Sequence, residues 1–343
     1  MVWLFFMYGV LDMDIKEQII NKILNHNVYD IAIVVHNNPD EDAIGSAAAL
    51  ENVLLQLDKN VTFVTQNKIR KRYANIVGRH RVNRINVPYS HFDMVFVLDC
   101  SDESRVSFDL TRMSDTIIVI DHHANYKEYG TLCWRENVIS DTILIYKLIN
   151  KMQEMKLNVK FNKEIATALY MGLRGDSFNF RNPNVTAEAH EISADLIKKG
   201  ADLNEINEIE RYPRSILKLE REVWSNIMYD ANYRIMYALI NKDTIRNSDT
   251  TYAEASQIID IMKLMQDVDV AVLFLSAEKN VYIKVRSTKY DVAKVMEHYG
   301  GGGHKLAAGA VVFSDSPFSL MNSVIKKIKE LIDKEKQAKK SKK

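Results

Sequence analysis

The chain has 343 residues, 47% hydrophobic and 27% charged, with a formal net charge of +1 at pH 7. That is room for two domains with buried cores, and too balanced a charge for general affinity to polyanions. Its two cysteines are too few for a disulfide scaffold or an all-thiolate metal site, and they fit reduced thiols in a cytoplasmic protein.

In chain order, MVWLFFMYGV opens an N-terminal extension, residues 1–14. It lacks a basic leader and is too short to span a bilayer, so no stable membrane association is expected. YDIAIVVH then reads as a buried parallel strand and AIGSAAALENVLLQL as a helix. NVTFVTQ, FDMVFVLDCSD and TIIVIDHH supply three more strands, and ISDTILIYKLINKMQ and NKEIATALYMGLRGD two more helices. This alternation predicts a doubly wound α/β domain with a mostly parallel sheet over residues 15–190.

Residues 191–229 read as a helical linker broken near Gly200 and Pro213. Strand-like YRIMYALI, VAVLFLS and VYIKVRS follow, then helical YDVAKVMEHY, the run GGGHKLAAGAVVF and a C-terminal helix. They predict a smaller α+β domain over 230–330, and residues 331–343 a fraying lysine-rich tail. Residues 326–343 carry nine lysines against Glu330, Asp333 and Glu335, a net of +6 that leaves −5 for the rest. Residues 68–85 hold seven basic residues and no acid, open to reading as a solvated surface, an RNA contact or a partner contact, with Tyr73 available to stack on a base.

The polar groups fall in one topological position. His36, Asp40 and Asp42, then Asp99, then Asp121, His122 and His123 all lie at or just beyond C-terminal strand ends, which share a crevice in an open α/β sheet. The spacing allows Asp40 and Asp42 to point into one concavity from a turn after the first strand, while Gly45 and Ser46 suit a close helix start and anion contacts. Each residue alone has an ordinary reading as a turn acceptor or a hydrogen-bonded histidine. Together the carboxylates carry a mutual penalty that two divalent cations would remove. Oxygen ligands with imidazoles suit Mn²⁺ first, with Mg²⁺, Co²⁺ and Zn²⁺ also compatible. Asp99 is best placed to bridge. Two such ions about 3.5–4 Å apart activate water and polarise a phosphate, which is phosphoester hydrolysis without a covalent intermediate.

HNNPDEDAIGS, VLDCSDESR, IDHH, GLRGD and GGGHKLAAG, in this order over about residues 31–310, resemble the motifs of the DHH/DHHA1 phosphoesterase superfamily. Within it they are most similar to the compact bifunctional oligoribonuclease and 3′-phosphoadenosine-5′-phosphate phosphatase group. The resemblance implies a DHH domain facing a DHHA1 domain across a cleft. One metal would be held by His36, Asp40 and Asp99, the other by Asp42, Asp99, His122 and Asp176. Asp121 would support the histidines, and His123 would face the phosphate. Arg286, Gly301, Gly302, Gly303 and His304 would recognise a terminal phosphate, and Arg105 would hold substrate or a domain interface. Ser177 stands where the family usually has threonine. Short RNA or a nucleotide would be the substrate, with short single-stranded DNA and a homodimer also compatible. A RecJ-like exonuclease, a linear or cyclic dinucleotide phosphodiesterase and a non-catalytic RNA-binding regulator are the competing readings.

Overall fold

A computed structural model describes residues 13–340 except 66–68, 70, 74, 77–81, 85–90, 107, 210 and 212–213. Residues 1–12, much of the basic stretch 68–85 and residues 341–343 therefore lie outside the described residues.

The chain divides into two units, Met1–Arg211 and Tyr212–Lys343. In the first, the elements run α1 (Ile15–Ile23), β1 (Asp30–Val35), α2 (Glu41–Gln56), β2 (Asn60–Thr65), β3 (Val82–Arg84), β4 (Met94–Leu98), β5 (Ile117–Asp121), β6 (Leu132–Arg135), α3 (Asp141–Glu154), α4 (Lys163–Asp176), α5 (Ala187–Lys198) and α6 (Leu203–Ile209). The strands form one sheet in the order β3-β2-β1-β4-β5-β6, and every pairing is parallel. The winding direction reverses between β1 and β4, so the crevice that binds ligands in such sheets opens beyond the ends of those two strands.

Unbroken apolar strands follow from burial on both faces. Ile31, Ile33 and Val35 meet the core built by α1 to α6, while Ala32 and Val34 meet Val95, Val97, Leu110 and Met113 on the other side. Among the described residues that second side is covered by short 3-10 turns at Glu103–Arg105 and Leu110–Arg112 rather than by helices. The stretch 191–229 is divided between the units. Ile192, Leu196, Ile206 and Ile209 join the first core, whereas Ile216, Leu219 and Val223 join a core of the second.

Gly45 lies inside α2, not at a helix start, and both it and Ser46 are buried. A Cβ at Gly45 would stand 2.4 Å from the Ala168 carbonyl oxygen of α4, so the two helices touch backbone to backbone there. Gly45→Ala should therefore cost about 1–3 kcal/mol by overpacking, measured as a lower urea midpoint at unchanged slope.

The second unit contains α7 (Ile216–Ser225), β7 (Met228–Asp230), β8 (Ile235–Ile240), α8 (Lys242–Asn247), α9 (Tyr252–Ala255), α10 (Ile258–Lys263), β9 (Val270–Ser276), β10 (Asn280–Ser287), α11 (Ala293–Glu297), β11 (Gly302–His304), β12 (Ala307–Phe313) and α12 (Pro317–Lys340). Its sheet order is β11-β12-β10-β9-β8-β7, antiparallel except between β8 and β9. α12 continues through residue 340, so most of the expected tail is helix rather than a frayed end. It packs Val324, Ile325 and Ile328 against Val281, Ile283 and Val285. On the opposite face, Ile216 and Leu219 of α7 with Ile258, Ile259 and Met262 of α10 cover Ala271, Leu273 and Leu275 of β9. No helix among the described residues is long and apolar enough to cross a membrane.

Candidate metal centre

The strand ends deliver the site. β1 leads to His36, β4 to Asp99, and β5 ends on Asp121 with His122 and His123 following. Asp99 has φ +51°, a sparsely populated backbone conformation for a non-glycine residue, and strain of this kind gathers at functional sites. Asp40 caps α2, its Oδ1 accepting from the backbone N–H groups of Asp42 and Ala43 at 3.1 and 3.2 Å. Asp42 is thus in the first helical turn rather than in the preceding turn. Asp176 is the last residue of α4.

Ligand-type atoms of His36, Asp40 and Asp99 lie within 4.8 Å of one another, as do those of Asp42, His122 and Asp176. Asp99 faces both groups. Its Oδ2 is 3.5 Å from His36 Nε2 and its Oδ1 is 3.4 Å from His122 Nε2. His122 Nε2 also stands 3.5 Å from Asp42 Oδ2 and 3.2 Å from Asp176 Oδ2. Each ring is oriented from behind: His36 Nδ1 donates to the Asn37 carbonyl at 2.8 Å, and His122 Nδ1 to the Val138 carbonyl at 3.1 Å. Nε2 is then the nitrogen presented to a proton or a cation, because the carbonyl behind each ring fixes the tautomer with its proton on Nδ1.

The electrostatics are those of sites that concentrate negative charge. Burial alone would lower the His36 pKa, but the Asp99 hydrogen bond and the Asp40 and Asp99 charges carry it to about 9. His122 is likewise raised, against burial, by Asp176 and Asp99. Burial, then the charges of Asp176 and Asp99, pushes Asp42 up. Burial, with the Asp40 and Asp99 charges, lifts Asp176 to about 7 although His122 opposes it. Asp99 moves the other way, its burial outweighed by hydrogen bonds from His122 and His36. Such a set takes up protons when metal-free and exchanges them for cations. The mixed oxygen and imidazole donors fit two divalent ions.

Asp42 has further supports outside the motifs. Asp42 sits at the N-terminus of α3, accepting from Ser140 Oγ at 2.5 Å, the Asp141 backbone N–H at 2.6 Å and the Thr142 backbone N–H at 3.0 Å. These donors and the positive end of the helix dipole stabilise its charge. Asp141 is fully buried, and burial with the Asp42 and Asp99 charges raises its pKa. The serine, aspartate and threonine before an apolar helix were a readable capping signal. Cys100 is buried, and its thiol is pushed up to about 11 by that burial, so it is no nucleophile at neutral pH.

Asp121 is fully buried, and its Oδ1 accepts from His123 Nδ1 at 2.7 Å. Arg135, directly opposite Asp121 on β6, places Nε 3.4 Å from Asp121 Oδ2. Its guanidinium also donates to the Lys127 carbonyl at 3.1 Å and sits 4.2 Å from the centre of the Tyr126 ring. Arg105 Nη1 stands 3.5 Å from His123 Nε2 on the other side. Arg135→Leu leaves a buried carboxylate without its cation and should cost about 3–5 kcal/mol. It should also lower turnover by displacing His123, seen in thermal melts and initial rates, while Arg135→Lys recovers part of both.

In the second unit, Arg286, Ala307 and His304 are in register across β10, β12 and β11, which places Arg286 and His304 on one sheet face. Arg286 Nε donates to Asp260 Oδ1 of α10 at 2.9 Å. Lys263, at the end of the same helix, is held below the usual lysine pKa by burial and by the Arg286 charge. Of Gly301, Gly302 and Gly303, only Gly303 has positive φ, at +139°, with Gly300 before them at +73°. Gly301 has another reason: a Cβ there would lie 2.1 Å from the Gly309 carbonyl oxygen. The run forms a tight edge hairpin rather than a flexible loop. Tyr73 is 2% exposed and donates to Glu41 Oε1 at 2.9 Å, so it is not a stacking platform.

Residues 30–173 match the family model of the DHH family, N-terminal domain, and residues 232–335 that of the DHHA1 domain. A Bacillus subtilis protein named bifunctional oligoribonuclease and PAP phosphatase NrnA is 26% identical over 304 residues, covering 87% of this chain and 94% of its own. A Thermus thermophilus protein of the same name is 25% identical, covering 87% and 88%. The crystal structure of an exopolyphosphatase-related protein from Bacteroides fragilis shares the fold, with a TM-score of 0.84 at 21% identity over 93% of this chain and 97% of that one.

Proposed function

The chain belongs to the DHH phosphoesterase family, and from that premise we propose that it hydrolyses short oligoribonucleotides to mononucleotides and 3′-phosphoadenosine-5′-phosphate to AMP and phosphate. The observation that carries this reading is the meeting of His36, Asp40, Asp42, Asp99, His122 and Asp176 from four separate parts of the chain around Asp99. His36, Asp40 and Asp99 would hold one divalent ion, and Asp42, Asp99, His122 and Asp176 the other, with Mn²⁺ the preferred metal. When bound, the pair supplies an activated water and charge stabilisation for in-line displacement at phosphorus.

The chain's own residues do the rest. Asp99 fixes the spacing of the two ligand groups. The helix end at Ser140, Asp141 and Thr142 holds and aims Asp42, its donors opposing the rise that burial imposes on that carboxyl. Asp121, itself held by Arg135, locks His123 with Nδ1 as donor, so Nε2 is the atom that meets substrate. As an imidazolium His123 would pass its Nε2 proton to the leaving oxygen and return to the neutral ring with Nδ1–H on Asp121, with the Arg105 guanidinium beside it to favour the departing charge. Arg286 and the β11–β12 hairpin offer a cation and backbone N–H groups to a terminal phosphate.

The test is direct. Purified protein is given 3′-phosphoadenosine-5′-phosphate, RNA of two to five nucleotides and matched DNA, with Mn²⁺, Mg²⁺, Co²⁺ or Zn²⁺. Mn²⁺-dependent release of phosphate and mononucleotides is expected; no turnover on any substrate rejects the reading.

A further inference from the structure

On the sheet face that carries Arg286 and His304, α7 and α10 cover β9 and α10 reaches over β10 as far as Arg286, while the Tyr282, Val311 and Phe313 end of β10 and β12 is exposed. Along β10, Tyr282, Lys284 and Arg286 alternate onto this face, while Val281, Ile283 and Val285 behind them are at most 1% exposed. Pairing sets Val311 opposite Tyr282 and Phe313 opposite Asn280, on the same side. Tyr282, Val311 and Phe313 are 38%, 55% and 66% exposed, a contiguous apolar and aromatic patch. The Tyr282 ring is braced by Tyr252, 5.8 Å away and tilted by 48°, whose own hydroxyl is tied to the Ser276 carbonyl at 2.9 Å.

This half-face therefore runs from a mainly cationic end to exposed rings. Arg286, paired with Asp260, stands with Lys284 and Lys263 toward one end, and Tyr282, Val311 and Phe313 toward the other. Four residue steps along β10 separate Arg286 from Tyr282, about 14 Å at roughly 3.4 Å per residue. A positive track with aromatic platforms beside it is the chemistry that holds single-stranded nucleic acid without reading its sequence, and sheets are a common base for it. A mononucleotide anchored at the arginine has little beyond its own base to offer such a span. A chain of two or more nucleotides has bases to lay on it.

We propose that this half-face is a path for single-stranded RNA, with a phosphate at Arg286 and bases on Tyr282, Val311 and Phe313, and that it favours oligoribonucleotides over mononucleotides. The proposal deepens the functional reading above and rests on it for the substrate class. The occupant is argued from the charge at one end and its continuity with the rings.

The full-length protein with Mn²⁺ is assayed on 3′-phosphoadenosine-5′-phosphate and on tri- and pentaribonucleotides, as native protein, Tyr282→Ala, Phe313→Ser and Tyr282→Trp. For each alanine or serine variant, KM on the oligonucleotides should rise about tenfold, from the loss of one stacked base, with kcat and the mononucleotide KM unmoved. Tyr282→Trp should stay near native. Equal changes on both substrate classes, or none on either, overturn the proposal. So does a shift in mass by light scattering with Phe313→Ser and no change toward RNA, which would make the patch a contact between copies of the chain. Binding of a labelled pentaribonucleotide, read by fluorescence anisotropy, separates the two readings. Weakened binding by Tyr282→Ala in a protein without turnover would retain the path and reject the catalytic assignment.

Discussion

Asp99→Ala is expected to abolish turnover on every substrate, by at least about a thousandfold, and to reduce the bound divalent metal below two ions per chain. The reason is geometric. Asp99 presents one oxygen to the His36 group and the other to the His122 group, so one substitution removes a donor atom from both proposed sites. Charge stabilisation by bound cations supplies several kcal/mol at a transition state, and each 1.36 kcal/mol is a factor of ten. Asp40→Ala strikes only the first group and should leave more residual metal and activity. Metal content by elemental analysis, circular dichroism and single-turnover rates together check this result. Activity within tenfold of native, in a folded Asp99→Ala protein, would remove Asp99 from the centre of the reaction.

The second large effect is on stability. The metal-free protein should melt at progressively lower temperature as pH rises from about 4 to 9. His36 has a folded pKa of about 9 against 6.5 unfolded, so its contribution is complete below 6.5 and lost as pH climbs through 9. Asp176 has a folded pKa of about 7 against 3.8, so the folded form holds a proton the unfolded form has released. Its contribution is also lost with rising pH, between about 4 and 7. The lowered Asp99 works in the opposite direction, but below its ordinary value and so outside this window. Saturating Mn²⁺ replaces those protons and should flatten the profile. At neutral pH a hundredfold excess over Kd should raise the melting temperature by about 5–10 °C. A chelated protein whose melting temperature is level across that window would contradict this account of the cluster.

What could be read in the sequence follows from where burial is severe. Strands such as IAIVV and MVFVL are buried on both sides, so their only polar positions are at the ends, and His36 and Asp99 stood out for that reason. β6 reads poorly because LCWR is short and mixed, and it becomes a strand only by pairing with β5. Arg135 gave no local signal, since its role depends on that pairing. Tyr73 misled for the opposite reason: basic neighbours implied exposure, whereas Glu41, distant in sequence, draws its hydroxyl inward. Arg286 left two faces open until the register with Ala307 and His304 chose one. The short helices between residues 242 and 263 carry too few turns for their period to show.

The glycine seam between α2 and α4 has a further consequence for ion choice. A Cβ at Gly172 would stand 3.0 Å from Asp42 Cα and 2.5 Å from Thr142 Cγ2, so nothing larger than hydrogen separates the two helices beside the carboxylates they carry. Asp42 is one turn along from one side of that seam and Asp176 one turn from the other. Ions that bind oxygen at about 2.0–2.1 Å and those that bind at about 2.3–2.6 Å differ by less than the width of one methyl group. In the proposed centre, helix packing at this seam would act as the calliper that fixes the spacing of Asp42 and Asp176, and with it the ionic radius they accept.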